Sequence, residues 1–228
     1  MNICIIPARG GSKRIPRKNI KQFLGKPIIA YSIKAAIESN CFDQIIVSTD
    51  DEEIAELAIK YGAQVPFIRP SGLSDDFSST FLVVKHAIDQ QDRSNNIENA
   101  CCLYATAPFI DAKTIHESYE QFIKSDANYC LGITKFPFPI QRAIRVSDKN
   151  RLTMFNQENI HERSQDLDEA YHDAGQFCWG KASAFKDELS IYSGSTLPFI
   201  LPSHLVQDID TIEDWVRAEA MYKLIQKN

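Results

Sequence analysis

Short apolar runs alternate with longer amphipathic ones from Ile3 to Phe136. "ICII", "QIIVS", "AQVPFI", "NACCLYA" and "NYCLGITKF" read as buried strands. Between them, "PIIAYSIKAAIE", "EEIAELAIKYG", "SSTFLVVKHAI" and "AKTIHESYEQFIK" carry apolar residues at helical spacing. Pro27 suits the first position of the first helix, and Gly62 a helix end. Strands joined by helices of this length form right-handed βαβ crossovers, so the spacing predicts an α/β core with a mostly parallel sheet flanked by helices. In such sheets a ligand lies beyond the carboxyl ends of the strands. Here those ends are the loop after the first strand, Thr49-Asp50 and Thr106 to Pro108.

The alternation breaks at about 136–172. "AIRVSDKNRLTMF" reads as two strands around a polar turn at Ser147 to Asn150, and "NQENIHERSQDLDEAYHD" is too polar for a core. A hairpin lobe is therefore expected within one domain spanning 1–228. Phe136, Phe138, Ile140, Ile144, Leu152, Met154 and Phe155 are many apolar residues for so small an insertion, and they point to a second copy covering it as a homodimer. After the lobe, "GQFCWG" and "LPFIL" resume the strands. "TIEDWVRAEAMYKLI" then gives a helix with Trp215, Ala218, Tyr222 and Ile225 on one face.

Charge is segregated along the chain. Eight basic residues (Arg9, Lys13, Arg14, Arg17, Lys18, Lys21, Lys26 and Lys34) precede the first acidic one, Glu38, although the net charge is −5. A compact basic loop on an acidic body suits a small polyanion, whereas a nucleic-acid partner would need basic residues over a broad face. No apolar run approaches a membrane span, and nothing at the N-terminus reads as a secretory signal. The six cysteines are scattered without zinc spacing, as expected of free core thiols in a cytoplasmic protein.

The basic loop, "IIPARGGSKRIPRKN", is not a Gly-x-x-x-x-Gly-Lys-Ser/Thr phosphate loop, and no Gly-x-Gly-x-x-Gly occurs. Gly10 and Gly11 let the backbone approach a ligand, while Arg9, Lys13 and Lys18 offer charge-assisted bonds to phosphates. In "QDIDT", Asp208 and Asp210 fall on one face of an extended segment and can share one hard cation. Asp210 equally reads as the N-cap of the final helix, with Glu213 completing a capping box. Asp50 and Asp51 read as a strand-to-helix cap, the aspartates of "SDDFSST" as a further cap, and Arg69 as their ion-pair partner.

These stretches resemble the CMP-sialic acid synthetases, cytidylyltransferases that activate acidic sugars with CTP. The opening loop, "IIVSTDDEEIAELAIKYGAQVPFIRP", "LSDDFSST", "ATAPF", "RSQDL" and "DIDT" follow that family's order over nearly the whole chain. The resemblance implies a Rossmann-like nucleotidyltransferase fold whose inserted hairpin serves dimerisation. It also implies triphosphate contacts from Arg9, Ser12, Lys13, Lys18 and Asn19 beside Gly10 and Gly11, and a cytidine site at Arg69, Ser79 and Thr80. Mg²⁺ would lie on Asp208 and Asp210. The sugar would be faced by Arg163, Gln165 and Asp166, with Tyr104, His172 and Gln176 in the altered pocket. Tyr104 to Pro108 stand where bacterial N-acetylneuraminic acid synthetases carry Gln-Pro-Thr-Ser-Pro, and His172 to Gly175 where they carry Arg-Pro-Asn-Gly. Both departures look like the pseudaminic acid branch, whose substrate is a nine-carbon acidic sugar of bacterial surfaces and flagellins. By the same resemblance, the sugar's anomeric hydroxyl attacks the α-phosphate while Arg9, Lys13 and Lys18 stabilise the departing pyrophosphate. The proton acceptor stays open among the metal's hydroxide, Asp208 and His172. An N-acetylneuraminic or legionaminic acid synthetase, and a non-catalytic nucleotide-binding regulator, remain as alternatives.

Overall fold

The computed structural model describes residues 1–75, 78–92 and 96–226. The opening strand β1 (Asn2–Pro7) is followed by a tight antiparallel pair, β2 (Gln22–Phe23) and β3 (Lys26–Pro27). Then come α1 (Ile29–Ser39), β4 (Gln44–Ser48), α2 (Glu52–Lys60), α3 (Thr80–Gln91), β5 (Asn99–Leu103), α4 (Ala112–Ile123) and β6 (Tyr129–Lys135). The lobe contributes β7 (Ile144–Val146) and β8 (Leu152–Met154). The chain returns through β9 (Tyr171–Lys181), α5 (Ala182–Lys186), β10 (Thr196–Ile200) and α6 (Ile212–Ile225).

The central sheet runs β10-β6-β9-β5-β1-β4. β1 pairs parallel with β4 and β5, and β10 parallel with β6, while β9 lies antiparallel between β5 and β6. Strand side chains alternate between two cores. Cys4, Ile6, Cys101 and Leu103 face Ile33, Ile54 and Ile115 of α1, α2 and α4. Ile3, Ile5, Ala100 and Cys102 face Val84, Ile88 and Phe185 of α3 and α5. This three-layer arrangement is the α/β architecture expected from the alternation, and all six cysteines are free and buried within the protein. Among the described residues no helix is long and apolar enough to cross a membrane.

Two local expectations are corrected. Pro27 pairs with Gln22 rather than opening α1, because the Ile28 amide donates to the Lys21 carbonyl (3.0 Å) and closes the small hairpin first. The helix therefore starts at Ile29. "AQVPFI" forms only the isolated bridges Ile46 to Gln64 and Thr49 to Ile68, since Pro66 has no amide to donate and splits the run.

A third core packs α6 against the start of the chain. Trp215 and Ala218 meet Phe23, Ile28, Phe109 and Ile209, and Ile15 joins them from the middle of the basic loop. Ile15 is fully buried there, which is worth about 1.5–3 kcal/mol and pins the loop to the body.

Candidate active site

β1 connects onward to β4 on one side, and its neighbour β5 connects to β6 on the other. Their carboxyl ends therefore open a crevice at a topological switch point. A cleft of about 280 Å³ lies there, lined by Arg9, Ser12, Lys13, Arg14, Lys18 and Asn19 after β1 and by Tyr104 to Thr106 after β5. The segment ahead of α3 closes it with Arg69, Asp75, Ser78 and Thr80. Among these residues five are cations and one, Asp75, is a carboxylate, so the cleft is built for a multiply charged anion.

The loop is held by its own backbone and by α2. Asn19 Nδ2 donates to the Arg9 carbonyl at 2.9 Å, tying the two ends of the loop together. The Gly10 amide donates to Asp50 Oδ1 at 3.0 Å, and a Cβ at Gly10 would stand 2.6 Å from Asp51 Oδ2, so only glycine allows this approach. Gly11 has open space around it at the rim. Arg9 Nη1 donates to the Asp75 carbonyl at 2.7 Å.

Arg69 is 4% exposed. Its Nε donates to Ser74 Oγ at 3.1 Å, and its guanidinium lies 3.7 Å from Asp50. Burial lowers its proton affinity, with Asp50 opposing that trend. The described part of that motif makes its cap through Ser79, whose hydroxyl accepts from the Leu82 amide at 3.2 Å. Asp76 lies outside the described residues. Ser79 is thus occupied as a helix cap, and its neighbours Ser78 and Thr80 line the cleft instead. Burial raises the proton affinity of Tyr104, whose hydroxyl lies near the Thr80 side chain. Tyr104 is therefore placed beside the expected nucleotide residues.

Lys18 donates to the Ile209 carbonyl at 2.6 Å and to Asp210 Oδ1 at 3.3 Å, joining the loop to "DIDT". Arg14 reaches Asp210 Oδ2 at 2.8 Å. Asp210 is not the helix cap, because the Asp214 amide donates to the Thr211 hydroxyl at 3.2 Å instead. Thr211 caps α6 and Asp214 completes the box, accepting from the Thr211 amide at 2.8 Å and the Asp210 amide at 3.2 Å. That leaves the Asp210 carboxylate turned to the cleft cations. Asp208 is exposed at the surface, and partial desolvation followed by repulsion from Asp210 raises its proton affinity. Gly175 takes φ +61 where a Cβ would meet Asp208 at 3.7 Å. Two adjacent carboxylates, one destabilised by the other, fit Mg²⁺, which commonly takes one or two carboxylates and completes its shell with substrate phosphate and water.

The remaining expected sugar residues are dispersed. Gln176 is buried, its amide donating to the Leu205 carbonyl at 2.5 Å. His172 Nδ1 lies 2.8 Å from the Asp173 carbonyl, and its ring packs on Phe136 at 4.7 Å. Arg163 and Asp166 pair with each other at 2.7 Å on the lobe. Gln165 lines a second cleft of about 500 Å³ between the lobe and the end of β6. Within one chain these three are not brought to the basic cleft. Arg14, Asp75, Ser78 and Val83 line that cleft without having been singled out for it. Val83 was legible in retrospect, lying three residues after Thr80 on the same helical face.

A family model described as cytidylyltransferase matches residues 3–200. The pseudaminic acid cytidylyltransferase of Campylobacter jejuni is 49% identical, covering 98% of this chain and 97% of that protein. The CMP-N,N'-diacetyllegionaminic acid synthase of Legionella pneumophila is 30% identical, covering 99% and 97%. A solved CMP:2-keto-3-deoxy-manno-octonic acid synthetase complexed with CTP superposes with a TM-score of 0.74, covering 100% of this chain and 99% of its own at 15% identity, and so shares the fold. With most of its length matched by the family model and relatives aligned almost end to end, this chain belongs to the cytidylyltransferases.

Proposed function

We propose that the protein transfers CMP from CTP to the anomeric hydroxyl of pseudaminic acid, giving CMP-pseudaminic acid and pyrophosphate. The observation that carries this is the cleft of five cations at the switch point, on a chain 49% identical over nearly its full length to a pseudaminic acid cytidylyltransferase. Arg69, Thr80 and Tyr104 line the cleft together with the phosphate-facing loop, and we assign the cytidine to them. Arg9, Lys13 and Lys18 face the triphosphate. The sugar's hydroxyl oxygen bonds the α-phosphorus as the bond to the bridging oxygen of pyrophosphate breaks, and these cations stabilise the charge that gathers on the leaving group. The hydroxyl proton passes in this reading to a water held beside the Asp208 and Asp210 carboxylates.

Mg²⁺ would be held by Asp208 and Asp210 and would supply Lewis acidity toward the phosphate oxygens. The lobe leaves Phe138 79% exposed, with Ile144, Val146, Leu152 and Phe155 also exposed beside it, and we assign this surface to a homodimer. Six free buried thiols suit a reducing compartment, and on that ground we assign the enzyme to the cytoplasm. The test is pyrophosphate release from CTP and Mg²⁺ with pseudaminic, legionaminic and N-acetylneuraminic acids offered separately. Release with pseudaminic acid alone is expected. Preference for another acid overturns the sugar assignment, and no release with any of the three overturns the activity.

A further inference from the structure

Arg17 stands apart from the other basic residues of the loop. Arg9, Lys13, Arg14 and Lys18 line the cleft, whereas Arg17 turns away from it to the start of α2. Its guanidinium grips both oxygens of Asp51, with Nη2 to Oδ1 at 2.9 Å, and also reaches Glu53. To do so it adopts φ +56 and ψ 32, a left-handed conformation that costs a non-glycine residue energy and persists only where its surroundings impose it. That reversal is what sets the next residue, Lys18, back toward the cleft and the Ile209 carbonyl.

Asp51 touches the loop at both ends. One of its oxygens is so near Gly10 that a Cβ there would come within 2.6 Å, and Arg17 holds the other end of the same stretch. Asp51 is itself fixed as the N-cap of α2, accepting from the Ile54 amide at 3.0 Å.

We propose that Arg17 and Asp51 are positioning residues for the reaction: their forked ion pair clasps residues 10–17 against α2 and so presents Arg9, Lys13 and Lys18 to the nucleotide in a prearranged set. The clasp rests on assigning the basic cleft to the CTP triphosphate. Its function is distinct from phosphate contact, since neither side chain lines the cleft.

The test measures CTP binding by calorimetry, with melting curves alongside, for the full chain and for Arg17→Ala, Arg17→Lys, Asp51→Asn and the Arg17→Ala/Asp51→Asn double variant. Asparagine keeps an oxygen for the Ile54 amide, so Asp51→Asn loses the ion pair but not the cap. Arg17→Ala and Asp51→Asn should each weaken CTP binding about tenfold. The double variant should be no weaker than the worse single one, the mark of two residues acting as a unit. Arg17→Lys should fall between, since an ammonium cannot make the fork. Affinity within about twofold of the wild type in the single variants, with only the melting temperature lowered, would reduce the pair to a structural strut and overturn the proposal. So would losses that multiply in the double variant. Absence of CTP binding by the wild-type protein would overturn the triphosphate assignment and the clasp together, whereas intact wild-type binding with unaffected variants removes the clasp alone.

Discussion

Lys18→Met removes one ammonium and keeps most of the apolar stem, so it isolates what the charge does. The Lys18 side chain is 20% exposed, and its Nζ holds the Ile209 carbonyl at 2.6 Å and Asp210 at 3.3 Å. A hydrogen bond from a charged group contributes about 1.5–3 kcal/mol when well shielded. Partial exposure, and Arg14 remaining on Asp210 at 2.8 Å, reduce the expected stability loss to about 1–2 kcal/mol. For a chain of this size that lowers the melting temperature by roughly 2–8 °C. The catalytic loss should be larger. Withdrawing a prearranged cation from the departing pyrophosphate costs about 10²–10³ in rate, as removal of an oxyanion-hole donor does. Lys18 also lowers the proton affinity of Asp208, so its removal further disfavours the ionised carboxylate pair. The assay is pyrophosphate release at saturating CTP, with a parallel melt showing that the variant is folded at the assay temperature. A folded Lys18→Met enzyme with kcat within about threefold of the wild type would refute the assignment and leave Lys18 a strut between the loop and "DIDT".

Three further outcomes are expected. Asp208 has a higher pKa folded than unfolded, so its ionised form costs stability above that raised value, and the cost disappears as pH falls through it toward the ordinary aspartate value near 3.9. In the presence of a chelator Asp208→Asn should therefore melt higher than the wild type at pH 7, with the gain shrinking on acidification, and it should lose any stabilisation by added Mg²⁺. A lower melting point at pH 7 would sink this account. Asp214→Ala removes the acceptor for the Thr211 and Asp210 amides and should cost about 1–2 kcal/mol in chemical denaturation, while unchanged stability would rule out the capping box as a support of α6. Phe138→Asp/Leu152→Asp should convert a dimer into a folded monomer, raising its dissociation constant by roughly 100-fold or more. Light scattering that gave a monomer mass for the wild type would remove the lobe interface altogether.

The architecture was legible because apolar period reports burial directly. The alternating runs from Ile3 to Phe136 bury their faces as strands covered by helices, and the structure places all of them so except "AQVPFI". Much of the basic cleft was legible too, since Arg9, Lys13, Lys18 and Asn19 lie close in sequence and one loop delivers them together. What escaped depends on partners distant along the chain or on backbone angles. Arg17 reads as one more cation in a basic run, and its different task is set by Asp51 and Glu53 arriving on α2. Asp210 and Thr211 both have capping side chains, and sequence could not say which takes the role. It goes to Thr211, whose extended backbone directly precedes the first helical residue. Arg163, Gln165 and Asp166 lie on the lobe, and the fold of one chain does not bring them to the basic cleft.

The lobe leaves the sheet after Lys135 and returns at Tyr171, and these two residues are directly paired on adjacent strands. Whatever chain connects them starts and ends at points the sheet already holds side by side, so lengthening it adds little closure entropy and asks nothing of the strands beneath. The residues that line the basic cleft all come from before Ala107 in the chain. The basic cleft and the lobe are thus separate in the fold, and a lobe of another length grafted between Lys135 and Tyr171 should change the acceptor or the assembly while leaving the CTP half of the reaction intact.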